Sequence, residues 1–334
     1  MALRQEAFQQ EYSPNDIERV VVVVNEHSTS AKETNKHIED LKSSGYGSRI
    51  TKPIETSADP RINYERFSEE FRDGDAIILA GGDGTAHDGI RTCLNDNLTN
   101  KNIWVFPLWG GNANDGARMI NGEQGSRTIA DILDVAKPVE IHPIRINLKY
   151  DDGDEDSRIS AFYAGFGLSA TVAEKLDKKS YRDQRFYDNP KIRKGFYEPR
   201  ALMRAYGKAS EFVLKSTVQD GSTRSNVFLE RSFLNGSRMA GRKVSPIEIS
   251  DRHIFEIAIR EKKIDHLVPC LGKVLFGHIP AGRLIEPSDT VSFKTRNSIS
   301  AHFDATAELI QPGTSVTIKR DERSFFVLST KLTS

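Results

Sequence analysis

The sequence predicts an α/β plus β protein, in which an α/β domain precedes an antiparallel domain of β-sandwich type. Three observations support this fold class. The chain has 334 residues, more than one domain usually contains. Strand and helix patterns alternate over residues 1–140, which is typical of a parallel sheet. From residue 141 the pattern changes to short strands of alternating polarity.

The elements of the first half follow the order β-α-β-α-β, with one more helix, strand and helix behind them. A β-branched run at 19–25 is typical of a strand buried on both faces. Such a sheet has right-handed crossovers and binds ligands at the carboxyl ends of its strands. Strands are predicted at 19–25, 49–54, 75–79 and 102–107, and helices at 31–43, 63–72, 86–95 and 126–136.

The second half is predicted as a domain over 141–311 with two helical inserts. Its acidic segment 151–156 fits a hairpin turn better than a calcium loop, because the distal Glu is missing. The segment 178–204 fits either a solvated helical face or a contact with a membrane surface. Periodicity leaves open whether the last strands, 315–319 and 324–328, complete the sandwich or return to the first sheet. Strands are predicted at 144–150, 159–165, 211–217, 226–234, 253–260, 290–296 and 299–303, and helices at 167–178 and 264–276.

Composition excludes several classes of protein. Hydrophobic residues make up 37% of the chain, without the long apolar run that a membrane span needs. The polar first 16 residues do not resemble a secretory signal, so a cytoplasmic location is expected. The 47 basic and 47 acidic residues balance, which argues against a nucleic-acid partner. Cys93 and Cys270 lie too far apart in sequence to indicate a disulfide framework or a zinc site.

Two glycine-rich loops follow neighbouring predicted strands. In the first, Gly81-Gly-Asp-Gly-Thr85, three glycines surround one aspartate and a helical pattern begins after Thr85. Glycines allow close backbone approach, and a helix start offers unpaired N–H groups to an anion such as a nucleotide phosphate. The second loop spans 108–118 and would face the same crevice.

These loops and two later segments resemble motifs of the diacylglycerol kinase catalytic-domain family, which includes bacterial lipid kinases and sphingosine kinases. The resemblance covers about 19–328. The first loop matches the Gly-Gly-Asp-Gly-Thr motif shared with NAD kinases. Residues 107–118 resemble the Pro-Leu-Gly-Thr-Gly-Asn-Asp-Phe-Ala-Arg loop with about two extra residues. Residues 165–170 are similar to a Gly-x-Gly-Phe-Asp-Ala segment, and 231–236 resemble the following block.

The resemblance implies a two-domain kinase with an NAD-kinase-like α/β domain and an acceptor-binding β-sandwich, and with the tail 312–334 packed back on the first domain. The implied reaction transfers the γ-phosphoryl group of ATP to a lipid hydroxyl with Mg2+. The implied partners are a nucleotide and a lipid or small hydroxylated acceptor, with peripheral contact to the membrane. Oligomeric state is left open, a homodimer included.

Transferred residue by residue, the resemblance implies a phosphate site at Gly81, Gly82, Gly84 and Thr85. Asp83 would be a metal-shell or hydrogen-bonding carboxylate, or else merely the cap of a tight turn. Asn25 and Thr29 match a nucleotide-contacting Asn-Pro-x-Ser-Gly loop only loosely, and a helix cap explains them nearly as well. Asn114 and Asp115 would border the nucleotide, where Asp115 also suits a helix start.

On the acceptor side, Asp304 aligns with the aspartate of the family's catalytic Asp-Gly-Glu motif and is the candidate general base. Ala305 and Thr306 replace the Gly and Glu. Glu308 would share a strand face with Asp304 and substitute for the missing Glu. His87 and His302 are expected to be packing residues rather than catalysts.

Three functions remain open from sequence. The first is a kinase of a diacylglycerol-like or sphingoid lipid, which the surviving nucleotide loops and Asp304 favour. The second is a kinase of a soluble hydroxylated metabolite. The third is a nucleotide- or lipid-binding regulator that lost transfer activity along with the Asp-Gly-Glu motif.

Overall fold

The structure is a computed structural model that describes residues 13–26, 28, 31–99, 101–108, 114–122, 128–177, 204, 212–217, 223–239, 242–260, 281–304 and 306–331. The described residues form two compact units, the first within 1–110, 120–141 and 325–334 and the second within 111–119 and 142–324. The α/β plus β fold class is confirmed. Predictions for Thr29, the insertion at 109–112, the segment 178–203, the helix 264–276 and Cys270 lie outside the described residues.

The first unit contains a six-stranded sheet in the order β2-β1-β3-β4-β19-β5. Strands β1 to β4 and β19 run parallel, and β5 pairs antiparallel with β19. The strands are β1 Arg19–Val24, β2 Ile54–Glu55, β3 Asp75–Ala80, β4 Trp104–Pro107, β5 Lys137–Ile141 and β19 Phe325–Ser329. The helices are α1 Ala31–Lys42, α2 Pro60–Glu70, α3 Asp83–Cys93, α4 Asp115–Asn121, which continues from the second unit, and α5 Ile129–Val135.

The buried β-branched run explains the centre of this sheet. Strand β1 is buried from Val20 to Val24, and every residue of its neighbour β3 is buried. The predicted strand 49–54 shortens to Ile54–Glu55, because a 3-10 turn occupies Gly47–Arg49. Strand β5 was not expected, since Pro138 suggested a break. Pro138 is tolerated there because β5 lies at the sheet edge, where one side of the strand needs no partner.

The second unit contains an 11-stranded sheet, ordered β17-β16-β8-β10-β9-β15-β18-β6-β7, with β13 and β14 branching from β10. All of its strand pairs are antiparallel. The strands are β6 Ile144–Lys149, β7 Glu155–Ser160, β8 Tyr163–Gly167, β9 Phe212–Thr217, β10 Thr223–Leu234, β13 Ile254–Arg260, β14 Arg283–Ile285, β15 Val291–Thr295, β16 Ile299–Phe303, β17 Thr306–Ile310 and β18 Ser315–Arg320. A helix α6, Leu168–Asp177, follows β8, and a small hairpin pairs β11 Arg238–Met239 with β12 Arg242–Lys243.

The two terminal strands of this sheet meet, so that it curls around one core. Arg158 of β7 lies 3.2 Å from Glu308 of β17. Phe166 sits in the core and makes edge contacts with the rings of Phe233, Phe293 and Phe303. The tail 312–334 does not return to the first unit as a whole. Strand β18 pairs with β6 and β15 in the second unit, and β19, from Phe325, joins the first sheet.

Buried polar side chains satisfy the backbone where strands of the second unit end. The Arg320 guanidinium donates to the carbonyls of His142 (2.6 Å), Asp251 (2.8 Å) and Arg252 (2.8 Å), and also to His253 and Asn235. Burial lowers the pKa of Arg320 to about 10, although the charge of Asp251 opposes that shift. The cation is thus held mainly by neutral oxygens, and the His142 carbonyl among them also accepts from Asn235 (2.9 Å).

Asp321 forms a partly buried ion-pair cluster beside Arg320. Its two oxygens accept hydrogen bonds from Arg145 (2.9 and 3.1 Å) and from Arg323. Burial would raise the pKa of Asp321, but these hydrogen bonds outweigh it and leave the pKa lowered. Protonation of Asp321 therefore opposes folding of this unit.

Among the residues that the structure describes, no helix combines the length and apolar character needed to cross a membrane.

The Asp321 cluster predicts an acid-sensitive stability. Because the folded pKa lies below the unfolded value of about 4, the contribution is present above that pH and is lost as the pH falls through the folded pKa. We expect Asp321→Asn to lower the free energy of unfolding at pH 7 by about 1 to 2 kcal/mol, the arginines being partly screened. Urea titrations at pH 7 and pH 3 measure this.

The matched control is Asp289→Asn, an exposed aspartate of the same unit. Wild type should lose more stability than Asp321→Asn between the two pH values, and the control should behave as wild type. An identical loss in all three proteins would contradict the role assigned to Asp321.

Candidate functional site

The first glycine-rich loop forms a tight turn from β3 into α3. Strand β3 ends at Ala80, Gly82 is the N-cap of α3, and the helix already begins at Asp83 rather than after Thr85. Gly82 has no side chain with which to cap the helix, and Asp83 and Gly84 stand in its first turn. The N–H groups of this turn lack intrahelical acceptors, and the helix dipole adds partial positive charge. The turn therefore suits an anion.

Glycine is required at two positions of this turn and helix. A Cβ atom on Gly81 would come within 2.2 Å of the Thr85 hydroxyl oxygen, which the turn buries. A Cβ on Gly89 would come within 2.5 Å of Leu79 in β3. Close approach of the turn to its own helix, and of the helix to the sheet, thus depends on the missing side chains.

Other polar residues follow neighbouring strands at the same sheet edge. Strand β1 ends before Asn25, whose N–H donates to the carbonyl of Ala80 (3.1 Å). Strand β2 ends before Thr56, whose N–H donates to Val24 (2.9 Å). The carboxyl ends of parallel strands share one edge, so Asn25, Thr56 and the Gly81 turn lie along it. The sequence reasoning missed Thr56, although a small polar pair after a short apolar stretch was the available signal.

A buried asparagine joins the residues after β2 to α3. Asn63 of α2 accepts a hydrogen bond from the N–H of Ser57 (2.6 Å) and donates to the Ser57 carbonyl (3.0 Å) and to Asp88 (2.7 Å). Burial raises the pKa of Asp88, and the hydrogen bond from Asn63 opposes that shift. Asn63 and Asp88 thus fix the position of the residues after β2 relative to α3.

In the second unit, Asn114 and Asp115 begin α4. Asn114 adopts a left-handed conformation (φ 55°), and its carbonyl accepts the first helical hydrogen bond, from Arg118 (3.0 Å). Asp115 is fully buried. A Cβ on Gly116 would come within 2.4 Å of the ring of Phe162, so that ring packs directly on the first turn of α4.

Asp304 lies in the turn between β16 and β17 and not on a strand. Its φ of 48° is left-handed, and its exposed fraction is 1%. The predicted strand 159–165 is interrupted by a corner at Ala161 and Phe162, and Asp304 accepts hydrogen bonds from that corner. The donors are the N–H groups of Ala161 (2.7 Å), Phe162 (3.0 Å) and Tyr163 (2.9 Å) and the hydroxyl of Ser160 (2.8 Å).

Glu308 does not share a strand face with Asp304, because the turn separates them. It lies on β17 and forms the ion pair with Arg158 that joins the sheet ends. As expected for packing residues, His87 and His302 are buried, and the His302 ring centroid lies 5.1 Å from that of Tyr163.

Sequence reasoning also missed Glu230, a buried carboxylate on β10. It accepts hydrogen bonds from the N–H (2.7 Å) and hydroxyl (2.7 Å) of Ser169 and from Ser232. Burial raises the pKa of Glu230, and these hydrogen bonds oppose the shift.

Comparisons with known proteins agree with the resemblance. Residues 19–146 match the diacylglycerol kinase catalytic domain, and over that range the resemblance is confirmed. A diacylglycerol kinase structure from Bacillus anthracis str. Sterne superposes with a TM-score of 0.65 at 16% identity, over 94% of this chain and 97% of that chain. A yeast NADH kinase complexed with NADH gives 0.50 at 11% identity, over 94% and 84%. At these identities the structures show a shared fold.

No curated protein matches. The domain match indicates a kinase phosphotransferase.

The Asn63 bridge predicts a stability effect in the first unit. Asn63→Ala removes the partners of both backbone groups of Ser57 and of the Asp88 carboxylate, so we expect a loss of about 2 kcal/mol in the free energy of unfolding. Asp88→Asn keeps an oxygen that accepts from Asn63 and should lose clearly less. Urea denaturation of both variants, with the exposed Asn102→Ala as control, measures this. Equal stabilities of Asn63→Ala and Asn102→Ala would refute the bridge.

Proposed function

We propose that the protein transfers the γ-phosphoryl group of ATP to the hydroxyl of a lipid acceptor, either diacylglycerol-like or sphingoid. The observation that carries the proposal is the turn from β3 into α3, which lies inside the matched range 19–146. Phosphoryl transfer needs positioned donors on the phosphates more than it needs covalent chemistry by the protein. The first turn of α3, whose N-cap Gly82 carries no side chain, supplies such donors.

In the proposed site, Gly81, Gly82, Gly84 and Thr85 hold the phosphates. Asn25 and Thr56 stand along the same edge, where the rest of the nucleotide would extend. Asn114 and Asp115, at the start of α4, are proposed to border the nucleotide. The acceptor oxygen bonds to the γ-phosphorus as the bond from that phosphorus to the β–γ bridging oxygen breaks. ADP leaves, and the hydroxyl proton passes to water.

Magnesium would be held by Asp83 together with phosphate oxygens. Asp83 is a partly exposed carboxylate in the first turn of α3, and hard oxygen ligands of this kind fit Mg2+. Among the described residues, no group of three or more His, Cys, Asp and Glu side chains could hold a metal. This fits a cation that arrives with the nucleotide, and its chemistry there is to offset phosphate charge.

The acceptor side supports a second candidate, a nucleotide-binding regulator without transfer activity. Asp304 is the carboxylate proposed as general base, and Glu308 its proposed partner. A general base must come within hydrogen-bond distance of the hydroxyl. Asp304 is buried and already accepts hydrogen bonds from the corner at 160–163, and Glu308 is paired with Arg158. A hydroxyl would reach Asp304 only after that turn opened.

The glycine turn predicts a specific loss of nucleotide binding. Gly81→Ala pushes a methyl group into Thr85, so we expect its affinity for ATP, measured by calorimetry, to fall at least about 10-fold, equivalent to 1.4 kcal/mol. Gly45→Ala is the matched control, because a Cβ there meets nothing within 4 Å. It should bind as wild type does. Equal affinities of wild type, Gly81→Ala and Gly45→Ala for ATP would show that the turn does not contribute to ATP binding.

Turnover separates the candidate functions. ATP consumption is measured with diacylglycerol and sphingosine in mixed micelles, and with glycerol as a soluble alcohol. The lipid-kinase proposal expects phosphorylated lipid from wild type and much less from Gly81→Ala. Phosphorylation of glycerol but of neither lipid would indicate that the acceptor is a soluble alcohol. Tight ATP binding without any phosphorylated product would favour the regulator.

A further inference from the structure

The corner between β7 and β8 is built around the Asp304 carboxylate. Three consecutive backbone N–H groups, at Ala161, Phe162 and Tyr163, point at its oxygens over 2.7 to 3.0 Å. The backbone N–H of Asp304 in turn donates to the Tyr163 carbonyl (3.0 Å). The Ser160 hydroxyl lies between two acceptors of the corner, the carboxylate of Asp304 (2.8 Å) and the carbonyl of Tyr163 (2.5 Å). One side chain thus accepts hydrogen bonds from three consecutive N–H groups of a sharp bend.

The corner fixes Phe162 against the second glycine-rich loop. Phe162 has no exposed surface, and its ring occupies the space that a Cβ on Gly116 would need. Gly116 is the second residue of α4, and Asn114 precedes that helix. A shift of the corner therefore moves the ring that packs on the first turn of α4, because packed interiors do not deform freely.

Backbone strain marks both ends of this chain of contacts. Among the described residues, Asn114 (φ 55°) and Asp304 (φ 48°) are the two non-glycine residues with left-handed φ. Such conformations persist only where the surrounding structure holds them, and they cluster at functional sites. Asn114 is also a residue proposed to border the nucleotide.

We propose that Asp304 is a positioning residue: through the 160–163 corner and Phe162 it holds Asn114 and the first turn of α4 in their nucleotide-facing arrangement. The proposal rests on the proposed function in one respect, namely that this turn borders the nucleotide. It departs from a general-base role, in which the carboxylate would act on the acceptor alone. A carboxylate that holds three N–H groups and a hydroxyl is used to shape the protein rather than to take a proton.

The test uses Asp304→Asn and Ser160→Ala in the full-length protein, with Ser157→Ala as matched control. Asp304→Asn replaces an acceptor oxygen with an amide that faces backbone N–H groups. Ser160→Ala removes one donor and leaves the carboxylate intact. Ser157 is exposed on the same strand and bonds to Asn147 instead. The first readout is hydrogen exchange of backbone amides without nucleotide, at 161–163 and at 116–121.

Positioning predicts that both variants exchange at least about 10-fold faster at 161–163 and in α4, while β1 and β3 exchange as in wild type and Ser157→Ala is unchanged. Faster exchange at the corner with α4 unaffected would overturn the proposal, as would no change at either place. This readout needs no ATP, so it decides the proposal even if the protein proves not to bind nucleotide, an outcome that would overturn only the proposed function.

The second readout is kinetic. Positioning predicts that KM and Kd for ATP rise about 5- to 10-fold in both variants while kcat at saturating ATP falls less. A general base predicts the reverse for Asp304→Asn, namely a kcat about 10²- to 10⁴-fold lower at unchanged ATP affinity, and an inert Ser160→Ala. That pattern would also overturn the proposal. If Asp304→Asn proves too unstable to purify, an inert Ser160→Ala overturns it alone.

Discussion

The closed sheet of the second unit depends on buried polar side chains that satisfy the backbone where its strands end. Arg320, Asn235 and Asp304 share this role. Arg320 donates to carbonyls at 142 and 251–253, and Asn235 donates to His142 (2.9 Å) and Ala161 (2.7 Å). Each contacts strand ends that are distant in sequence, so removal of one side chain would break hydrogen bonds at several of them at once. Bends that bring distant strands together are thereby fixed.

In the first unit, the turn from β3 into α3 depends on glycines. Gly81 lets the turn fold onto Thr85, and Gly89 lets α3 lie against Leu79. The parallel sheet sets the place of the turn, since it puts the exits of β1, β2 and β3 along one edge. Asn63 and Asp88 then hold the exit of β2 on α3. An anion site of this kind is prepared by packing before any ligand arrives.

Much of this architecture could be predicted from local pattern. The run of valines in β1 and the apolar β3 identify a parallel sheet, and the glycines after Ala80 identify the turn from β3 into α3. Local pattern failed where a distant residue decides the structure. The strand expected at 159–165 is bent because Asp304, far along the chain, binds its N–H groups. Glu308 was placed beside Asp304 by strand periodicity, but a left-handed residue ends the strand first. Asn63, Asp88 and Glu230 have no local signature, since their partners come from other elements.

We propose that the first turn of α3 binds nucleotide phosphate. The most direct measurement is hydrogen exchange of the amides of residues 82–85 with and without ATP and magnesium. Without ligand these N–H groups have no acceptor in the helix and should exchange fast. We expect ATP to slow hydrogen exchange at residues 82–85 by about 10-fold or more, while exchange at the centre of β1 stays unchanged. Unchanged exchange at 82–85 under saturating ATP, with protection elsewhere in the chain, would contradict it.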